Sequence, residues 1–473
     1  RIEIFLFLPE MLSAFFVLLG IYSYVIARLN INNRTIGQSL AILAMFVFMG
    51  LGILSKENAV LLPLFILLVE KLLIPQSDSK ADISLIIFVL IPVLCVSLFI
   101  IIDPGVIVKG YHFRDFTVIQ RLLVQAQVMA DYLQDIFFPV YSRLTFFKDY
   151  YLLPEGLFVP PTTAIFVFGI LFFFLYCLVM VKRKPLVSFC GLFFFAAHVL
   201  ESTVIPLELA FDHRNYLPSI GMMLLLCLVL RFMVLNWAIS KNVVVLLLVC
   251  FYATQTFLYC TEWSNPLLHA KAEVEKSPRS FRANMKLGKE YFELYFNSKE
   301  EKFRVNSINN FVNAIEINDN DPAPYVYVIK LNIMGGNAAP EIYLNKINQS
   351  LSYYPPQRSN PQRVNKLIEL ADKHPTLLPV DHVREAVEIL ERNLLPRNPK
   401  YLSEVLSVKA IFLWKIKKDR LGAIKYAERA VNASPDNGEY YKNLLHLLEL
   451  ANDEERAEAL IRKISILFPE NDI

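Results

Sequence analysis

Apolar residues dominate the first 260 positions of the chain, and a mixed, charged sequence follows them. The core of a bilayer takes about 20 apolar residues in a helix. Eight segments of the sequence approach that length: 10–28, 38–54, 59–75, 83–102, 162–181, 186–204, 215–236 and 242–261. The pattern therefore predicts a polytopic transmembrane helical bundle over residues 1–262.

Lysine and arginine occur in every second connection between these segments. They are Arg28 and Arg34, Lys71 and Lys80, the run 182–184, and Arg231 with Lys241. Positive charge marks cytoplasmic loops. We therefore expect the other connections, and the part of the chain after residue 262, to lie on the non-cytoplasmic side.

The sequence after Trp263 is polar, favours helices and repeats itself near its end. Pro435 and Pro469, like Asn437 and Asn471, are separated by the tetratricopeptide (TPR) period of about 34 residues. Paired helices of such repeats bury their apolar faces by stacking. The sequence thus predicts an all-α chain, in which residues 263–473 form a TPR α-solenoid with a surface for a protein or peptide.

Composition narrows the classes of function. A chain that is 55% hydrophobic and 13% aromatic is unusual among soluble proteins. A net charge of +3, without a basic run, gives no indication of nucleic-acid binding. The six cysteines lie in or beside apolar segments without C-x-x-C spacing, so neither a disulfide framework nor a cysteine metal site is expected.

Charged residues next to membrane spans are candidates for function, because they are costly there. Lys56 and Glu57 lie between two apolar segments. An amphipathic stretch over 119–139 contains the polar residues Arg121, Gln125 and Tyr132. That stretch is predicted either as a surface helix or as a further, polar-lined span. Lys56 and Glu57 can also be read as a short solvated turn.

The densest polar cluster spans residues 198–219. Its members are His198, Glu201, Glu208, Asp212, His213, Arg214 and Tyr216. An arginine offers a two-pronged donor for phosphate. Carboxylates can bind sugar hydroxyls or act as general bases. The alternative interpretation of the cluster is a salt-bridged turn at the membrane surface.

Several strings resemble motifs of one family in the same order. They are SKENA at 55–59, RLLVQ at 121–125, DHRNYLPS at 212–219, WSNP at 263–266, KSPR at 276–279, and Leu287-Gly288. The chain resembles bacterial relatives of the transmembrane-and-TPR protein O-mannosyltransferases, which belong to the GT-C glycosyltransferase superfamily. One departure is Asp212, where family members usually carry glutamate.

The resemblance implies a GT-C-like bundle that takes sugar from a polyprenyl-phosphate donor and transfers it to a protein hydroxyl. By position, Lys56, Arg121, His213 and Arg214 would contact the donor phosphate. Supporting polar residues would be Glu57, Gln125, Glu201, Glu208, Asp212 and Tyr216. The family's acidic catalytic residue is expected upstream of Arg1, so the catalytic base is unassigned. No metal ligand is assigned, and a divalent metal cofactor stays open.

Two other functions remain. A non-catalytic TPR scaffold or assembly subunit with a transferase-like fold is the main alternative, and a transporter is the weaker one. The expected location is a bacterial inner membrane with the repeats in the periplasm, or the ER membrane and lumen in a eukaryote. Expected partners are the bilayer, a lipid-linked sugar and a protein acceptor, and no nucleic acid.

Overall fold

The computed structural model describes residues 2–30, 34–74, 110–111, 114, 116–237, 240–353, 357–394 and 398–468. The predicted span 83–102, Lys80, and the repeat positions Pro469 and Asn471 lie outside these residues. The described residues are helical and contain no strand. The chain divides into two compact units, Arg1–Asn265 and Pro266–Ile473.

The first unit contains eight α-helices within the described residues. They are α1 (Ile2–Asn30), α2 (Arg34–Ile53), α3 (Leu62–Leu72), α4 (Val118–Phe137), α5 (Pro161–Val179), α6 (Pro185–Ala197), α7 (Tyr216–Trp237) and α8 (Lys241–Glu262). Short 3₁₀ helices precede α3 (Glu57–Leu61) and α7 (Asp212–Asn215), and a third spans Tyr141–Arg143.

Five segments of the described chain are helical, long and apolar enough to cross a membrane. They are Leu8–Leu29, Ile36–Ile53, Pro161–Val179, Asp212–Val234 and Lys241–Glu262. Two predicted spans are shorter in the structure: 59–75 is represented by the 11-residue α3, and 186–204 by the 13-residue α6. The helix ends at Ala197. The residues after it form a loop whose backbone carbonyls accept hydrogen bonds from Arg121, as described below.

A continuous apolar core joins α1, α2, α3 and α6. The rings of Phe65 and Phe193 lie 4.6 Å apart within it. Arg28 at the end of α1 donates hydrogen bonds of 3.2 and 2.9 Å to Glu70 of α3. Helices α6 and α7 approach so closely that a Cβ atom at Gly221 would lie 2.7 Å from the carbonyl oxygen of Cys190.

The outer faces of α5 and α8 are apolar and exposed. Phe172 of α5 is 72% exposed, and Phe257 of α8 is 68% exposed. Neighbouring positions such as Val179, Leu246 and Leu247 are also exposed. Soluble monomers rarely present continuous apolar faces of this kind, because such faces associate in water.

The second unit is a succession of paired helices. They are α9 (Pro266–Lys276), α10 (Phe281–Ser298), α11 (Glu301–Ile317), α12 (Pro322–Met334), α13 (Glu341–Leu351), α14 (Asn360–Lys373), α15 (Val380–Arg392), α16 (Pro399–Phe412), α17 (Arg420–Ala433), α18 (Gly438–Leu450) and α19 (Glu454–Leu467). A single π-helical turn, Leu413–Lys417, follows α16.

Each helix from α10 onward packs on a sequence neighbour, and α12, α14, α16 and α18 also pack on one another in turn. Apolar cores link these helices along the unit. Local sequence sets the helix starts, because the side chains of Asp321, Asn398, Asn437 and Asp453 accept hydrogen bonds from backbone N–H groups in the first turns.

Candidate functional site

Five charged or ionisable side chains from distant parts of the first unit converge. We refer to Glu10, Lys56, Glu201, His213 and Arg214 as the ion cluster. The ammonium group of Lys56 lies between two carboxylates: it is in contact with Glu10 and lies 3.2 Å from Oε1 of Glu201. Arg214 Nε lies 3.5 Å from Oε2 of Glu201, and His213 Nε2 lies 3.9 Å from Glu10.

Four members of the ion cluster lie at or beside the ends of elements, and Glu10 lies within α1. Glu10 lies on α1, Lys56 precedes the 3₁₀ turn before α3, Glu201 follows α6, and the 3₁₀ turn before α7 carries His213 and Arg214. Asn58 adds a 2.8 Å hydrogen bond to Glu201. Lys56 and His213 keep side-chain exposures of 17% and 15%, so a ligand can reach them.

Arg121 holds the loop that carries Glu201. Its guanidinium is fully buried and donates to the carbonyl oxygens of Glu201 (2.6 Å), Thr203 (2.8 Å) and Leu207 (2.5 Å). Burial lowers the pKa of Arg121 to about 10. Because each nitrogen of its guanidinium donates to a backbone carbonyl, Arg121 orders residues 201–208 in this structure.

Two further side chains of α4 extend the same row of contacts. Gln125 Nε2 donates to the carbonyl oxygen of Leu209 at 2.9 Å. The hydroxyl of Tyr132 donates to Phe211 O at 3.0 Å and accepts from Phe211 N at 2.8 Å. The polar face of α4 is therefore buried against the 201–211 loop. These contacts hold in place the backbone that leads into His213.

A cavity of about 350 Å³ adjoins the ion cluster. His213 belongs both to its wall and to the cluster. Its other lining residues are Asp135, Ile136, Leu144, Phe146, Phe211, Asp212, Asn215, Tyr216, Ser219 and Tyr259. Aromatic faces beside carboxylates form a surface suited to a sugar ring and its hydroxyls.

A second lysine bridges two carboxylates at the cavity. Lys148 Nζ lies 2.7 Å from Asp135 and 2.8 Å from Asp212. Burial alone would favour the neutral amine, but the carboxylates of Asp212 and Asp135 outweigh it and raise the pKa of Lys148 above its ordinary value. Asp212 is 33% exposed, so it is reachable from the cavity.

The donor set does not fit a divalent cation. In both charged groups the point between the carboxylates is occupied by a lysine ammonium, Lys56 between Glu10 and Glu201 and Lys148 between Asp135 and Asp212. A cation at either position would have to displace that ammonium.

The structure brings together four of the ten residues proposed from the sequence: Lys56, Glu201, His213 and Arg214. Asp212 and Tyr216 line the adjoining cavity. Arg121 and Gln125 instead hold the 201–211 loop. Glu208 lies 2.5 Å from Arg114, and Glu57 is exposed at the start of its 3₁₀ turn.

Sequence reasoning missed Glu10. The signal was present, since a carboxylate within an apolar helix is costly unless it has a partner. The partner, Lys56, is 46 positions away along the chain, and no local pattern indicates that pairing. Asp135 and Lys148 were also missed, because Lys148 is the common partner of Asp135 and Asp212, and Asp212 lies far from both in sequence.

Comparison with known proteins gives no family, and the similarities to solved structures include a weak one. No protein-family model matches the chain, and no curated protein matches it. The crystal structure of yeast Tom70 aligns with 91% of this chain and 82% of that chain, at 13% identity and a TM-score of 0.32. A TM-score this low carries no argument about either fold or function.

Proposed function

We propose that the chain is an integral membrane glycosyltransferase, which transfers sugar from a polyprenyl-phosphate donor to a protein hydroxyl on the non-cytoplasmic face. The observation that carries the proposal is the convergence of Lys56, His213 and Arg214 beside an aromatic and acidic cavity. The five long apolar helices and their exposed faces support the membrane assignment. We further propose that the paired helices of the second unit form a TPR solenoid that binds the acceptor.

The proposed division of labour follows from charge and from hydrogen-bonding capacity. Lys56, His213 and Arg214 would hold the donor phosphate, and the cavity beside His213 would hold the sugar. The acceptor oxygen would form a bond to the anomeric carbon while the bond from that carbon to the phosphate oxygen breaks. A carboxylate would take the hydroxyl proton, and polyprenyl phosphate would leave. Asp212 is the more exposed of the two carboxylates in the cavity wall, at 33% against 10% for Asp135.

The test measures donor binding and sugar transfer with purified full-length protein. A panel of radiolabelled polyprenyl-phosphate sugars would be supplied with membrane extract as acceptor. Arg214→Lys keeps the charge but loses the planar donor fork, so it should weaken phosphate binding about tenfold or more. Arg143→Lys, at a side chain 44% exposed and outside the ion cluster, is the matched control and should behave as wild type.

Two results would count against the proposal. One is the absence of transfer and of polyprenyl-phosphate binding with every donor in the panel. The other is an Arg214→Lys protein that binds and transfers as well as wild type does. Thermal unfolding of each variant would be measured first, so that loss of fold is not mistaken for loss of a contact.

A non-catalytic scaffold is the second candidate, and one observation favours it. The ionised groups of the cluster already satisfy one another: Lys56 faces Glu10 and Glu201, and Arg214 faces Glu201. Such a network can have a purely structural role, in which it joins four segments of the bundle. A stoichiometric partner in native membranes, together with full cellular function of both Asp212→Asn and Arg214→Lys, would favour the scaffold.

A further inference from the structure

Three lysines from alternate helices of the second unit gather on one face. We call Lys289 of α10, Lys330 of α12 and Lys366 of α14 the lysine face. The ammonium groups of Lys289 and Lys366 lie 5.8 and 5.6 Å from the centre of the Tyr327 ring. Lys330 lies 4.5 Å from the centre of the Phe292 ring. The two rings are 5.7 Å apart, edge to face, so the lysines surround one aromatic pair.

The ammonium groups of the lysine face outnumber the carboxylates that pair with them. None of the ion pairs within the described parts of the chain involves Lys289, Lys330 or Lys366. The neighbouring Arg363 is paired with Asp321 at 3.1 Å. Aromatic faces stabilise an ammonium group only modestly. Repulsion among these cations would therefore fall if an anion bound between them.

The electrostatic consequence is visible in the lysines themselves. Burial, and then the charges of Lys366 and Arg363, lower the pKa of Lys289. Burial and the charge of Lys366 likewise lower the pKa of Lys330. A carboxylate brought to this face would raise both pKa values again, and by linkage it would bind more tightly to the protonated form.

A cavity of about 390 Å³ is lined by residues of α14, α16 and α18. Gln362, which lines it, is one turn from Lys366 on the same face of α14. Amide side chains of Gln362, Asn365, Asn437 and Asn443 contribute to the wall. The side-chain oxygen of Asn365 is buried without a hydrogen-bond partner. Such an acceptor is suited to a backbone N–H of an extended chain.

We propose that the lysine face and the adjoining cavity bind an extended acidic segment of another protein. Carboxylates of the segment would lie against Lys289, Lys330 and Lys366, and its main chain would donate to the unpartnered side-chain oxygen of Asn365. The binding concerns the second unit alone and does not depend on sugar transfer by the first.

The surroundings favour a peptide over a polyphosphate. Glu293 and Glu369 lie near Lys330, and Glu404 and Glu439 line the cavity. A nucleic acid carries a negative charge at every residue and would meet these carboxylates along its length. A peptide can place its acidic residues at the lysines and its uncharged amides at the cavity.

The experiment uses the full-length protein in detergent and a fluorescein-labelled peptide of alternating glutamate and serine. Fluorescence anisotropy should show saturable binding that weakens with added salt. The same peptide with glutamine in place of glutamate should bind at least about tenfold more weakly. Lys289→Gln/Lys366→Gln should lower the affinity by about a hundredfold, since each lost charge-assisted contact accounts for about tenfold.

The matched control is Lys302→Gln/Lys425→Gln, which removes the same charge from α11 and α17 and should bind as wild type does. Equal affinity of the lysine-face variant and the control would overturn the proposal. So would an oligonucleotide or an anionic lipid vesicle that displaces the peptide and binds more tightly to the same lysines. The peptide can bind whether or not the protein transfers sugar, so the two proposals fail separately.

Discussion

Arg121 and Arg214 of the first unit are both buried, and the partners they contact separate their roles. Arg121 donates to backbone carbonyls of the 201–208 loop, whereas Arg214 faces the carboxylate of Glu201 and donates to the carbonyl oxygen of Glu208 at 2.8 Å. A buried guanidinium that is saturated by carbonyls stabilises a loop. One that faces a carboxylate beside a cavity can exchange that partner for a phosphate.

Replacing Arg121 by lysine should destabilise the first unit without removing the charge. A lysine has no planar fork and cannot reach all the carbonyls that Arg121 satisfies, so buried acceptors are left unpaired. We expect a loss of about 3 kcal/mol in the free energy of unfolding, measured by thermal unfolding of the detergent-solubilised protein. Arg183→Lys, on the exposed connection between α5 and α6, is the control, and an equal effect of both changes would refute the assignment.

The pairing of Lys56 and Glu10 can be measured with a double-mutant cycle. Lys56→Met leaves the buried carboxylate of Glu10 without its cation and leaves Glu201 with Arg214 alone, and it should cost about 3–5 kcal/mol in folding free energy. Adding Glu10→Gln removes part of that uncompensated charge. The loss of folding free energy in the double variant should therefore be about 1–3 kcal/mol smaller than the sum of the two single losses. Additive losses would mean that the two side chains do not interact.

Much of the candidate site could be proposed from the sequence, because charged residues stand out in apolar surroundings. Lys56, Glu201, His213 and Arg214 were identified in that way. What the sequence could not supply is which charges meet. The sequence shows that residue 121 is an arginine, which makes it a candidate phosphate ligand. It does not show that the guanidinium meets carbonyls of a loop some 80 positions later.

At the scale of the helices, Gly288 sets the distance between α10 and α11. A Cβ atom at this position would lie 2.8 to 2.9 Å from three ring atoms of the buried Phe311. The backbone carbonyl of Gly288 also accepts a 2.7 Å hydrogen bond from Ser307 of α11. This close approach explains why a residue that disfavours helices is retained inside α10.

Gly288→Ala should therefore destabilise the second unit. Overpacking costs about 1–3 kcal/mol, and the better helix propensity of alanine offsets about 1 kcal/mol of that. The matched change is Gly438→Ala at the start of α18, where the nearest atoms would be 3.9 Å away. We expect a lower unfolding temperature for Gly288→Ala alone. An unchanged temperature would show that α10 and α11 separate at little cost.

The sequence predicted helical content well and helix ends poorly. Apolar segments 38–54, 162–181, 215–236 and 242–261 correspond closely to α2, α5, α7 and α8. The segment 186–204 does not, because apolar residues continue past Ala197 while the backbone turns toward Arg121. Hydropathy indicates whether a residue favours lipid or water. The end of α6 depends instead on hydrogen bonds that Arg121 of α4 donates to the loop after it.

At the scale of the whole molecule, the side of the membrane that holds the second unit depends on the short helix α6. Thirteen helical residues span about 20 Å, and the hydrocarbon core of a bilayer is about 30 Å thick. The alternation of positive loops requires a crossing between the run 182–184 and α7. If α6 and the turn after it do not complete that crossing, the second unit emerges on the cytoplasmic side.

Single cysteines in a cysteine-free background would decide this. Glu155→Cys and Arg183→Cys bracket α5, which is long enough to cross on its own, so a membrane-impermeant maleimide should label only Glu155→Cys in intact spheroplasts. Lys302→Cys should label together with Glu155→Cys, because α6, α7 and α8 would make three crossings after Arg183. Labelling of Lys302→Cys only after permeabilisation would mean two crossings. It would place the second unit on the cytoplasmic side, away from the proposed acceptor.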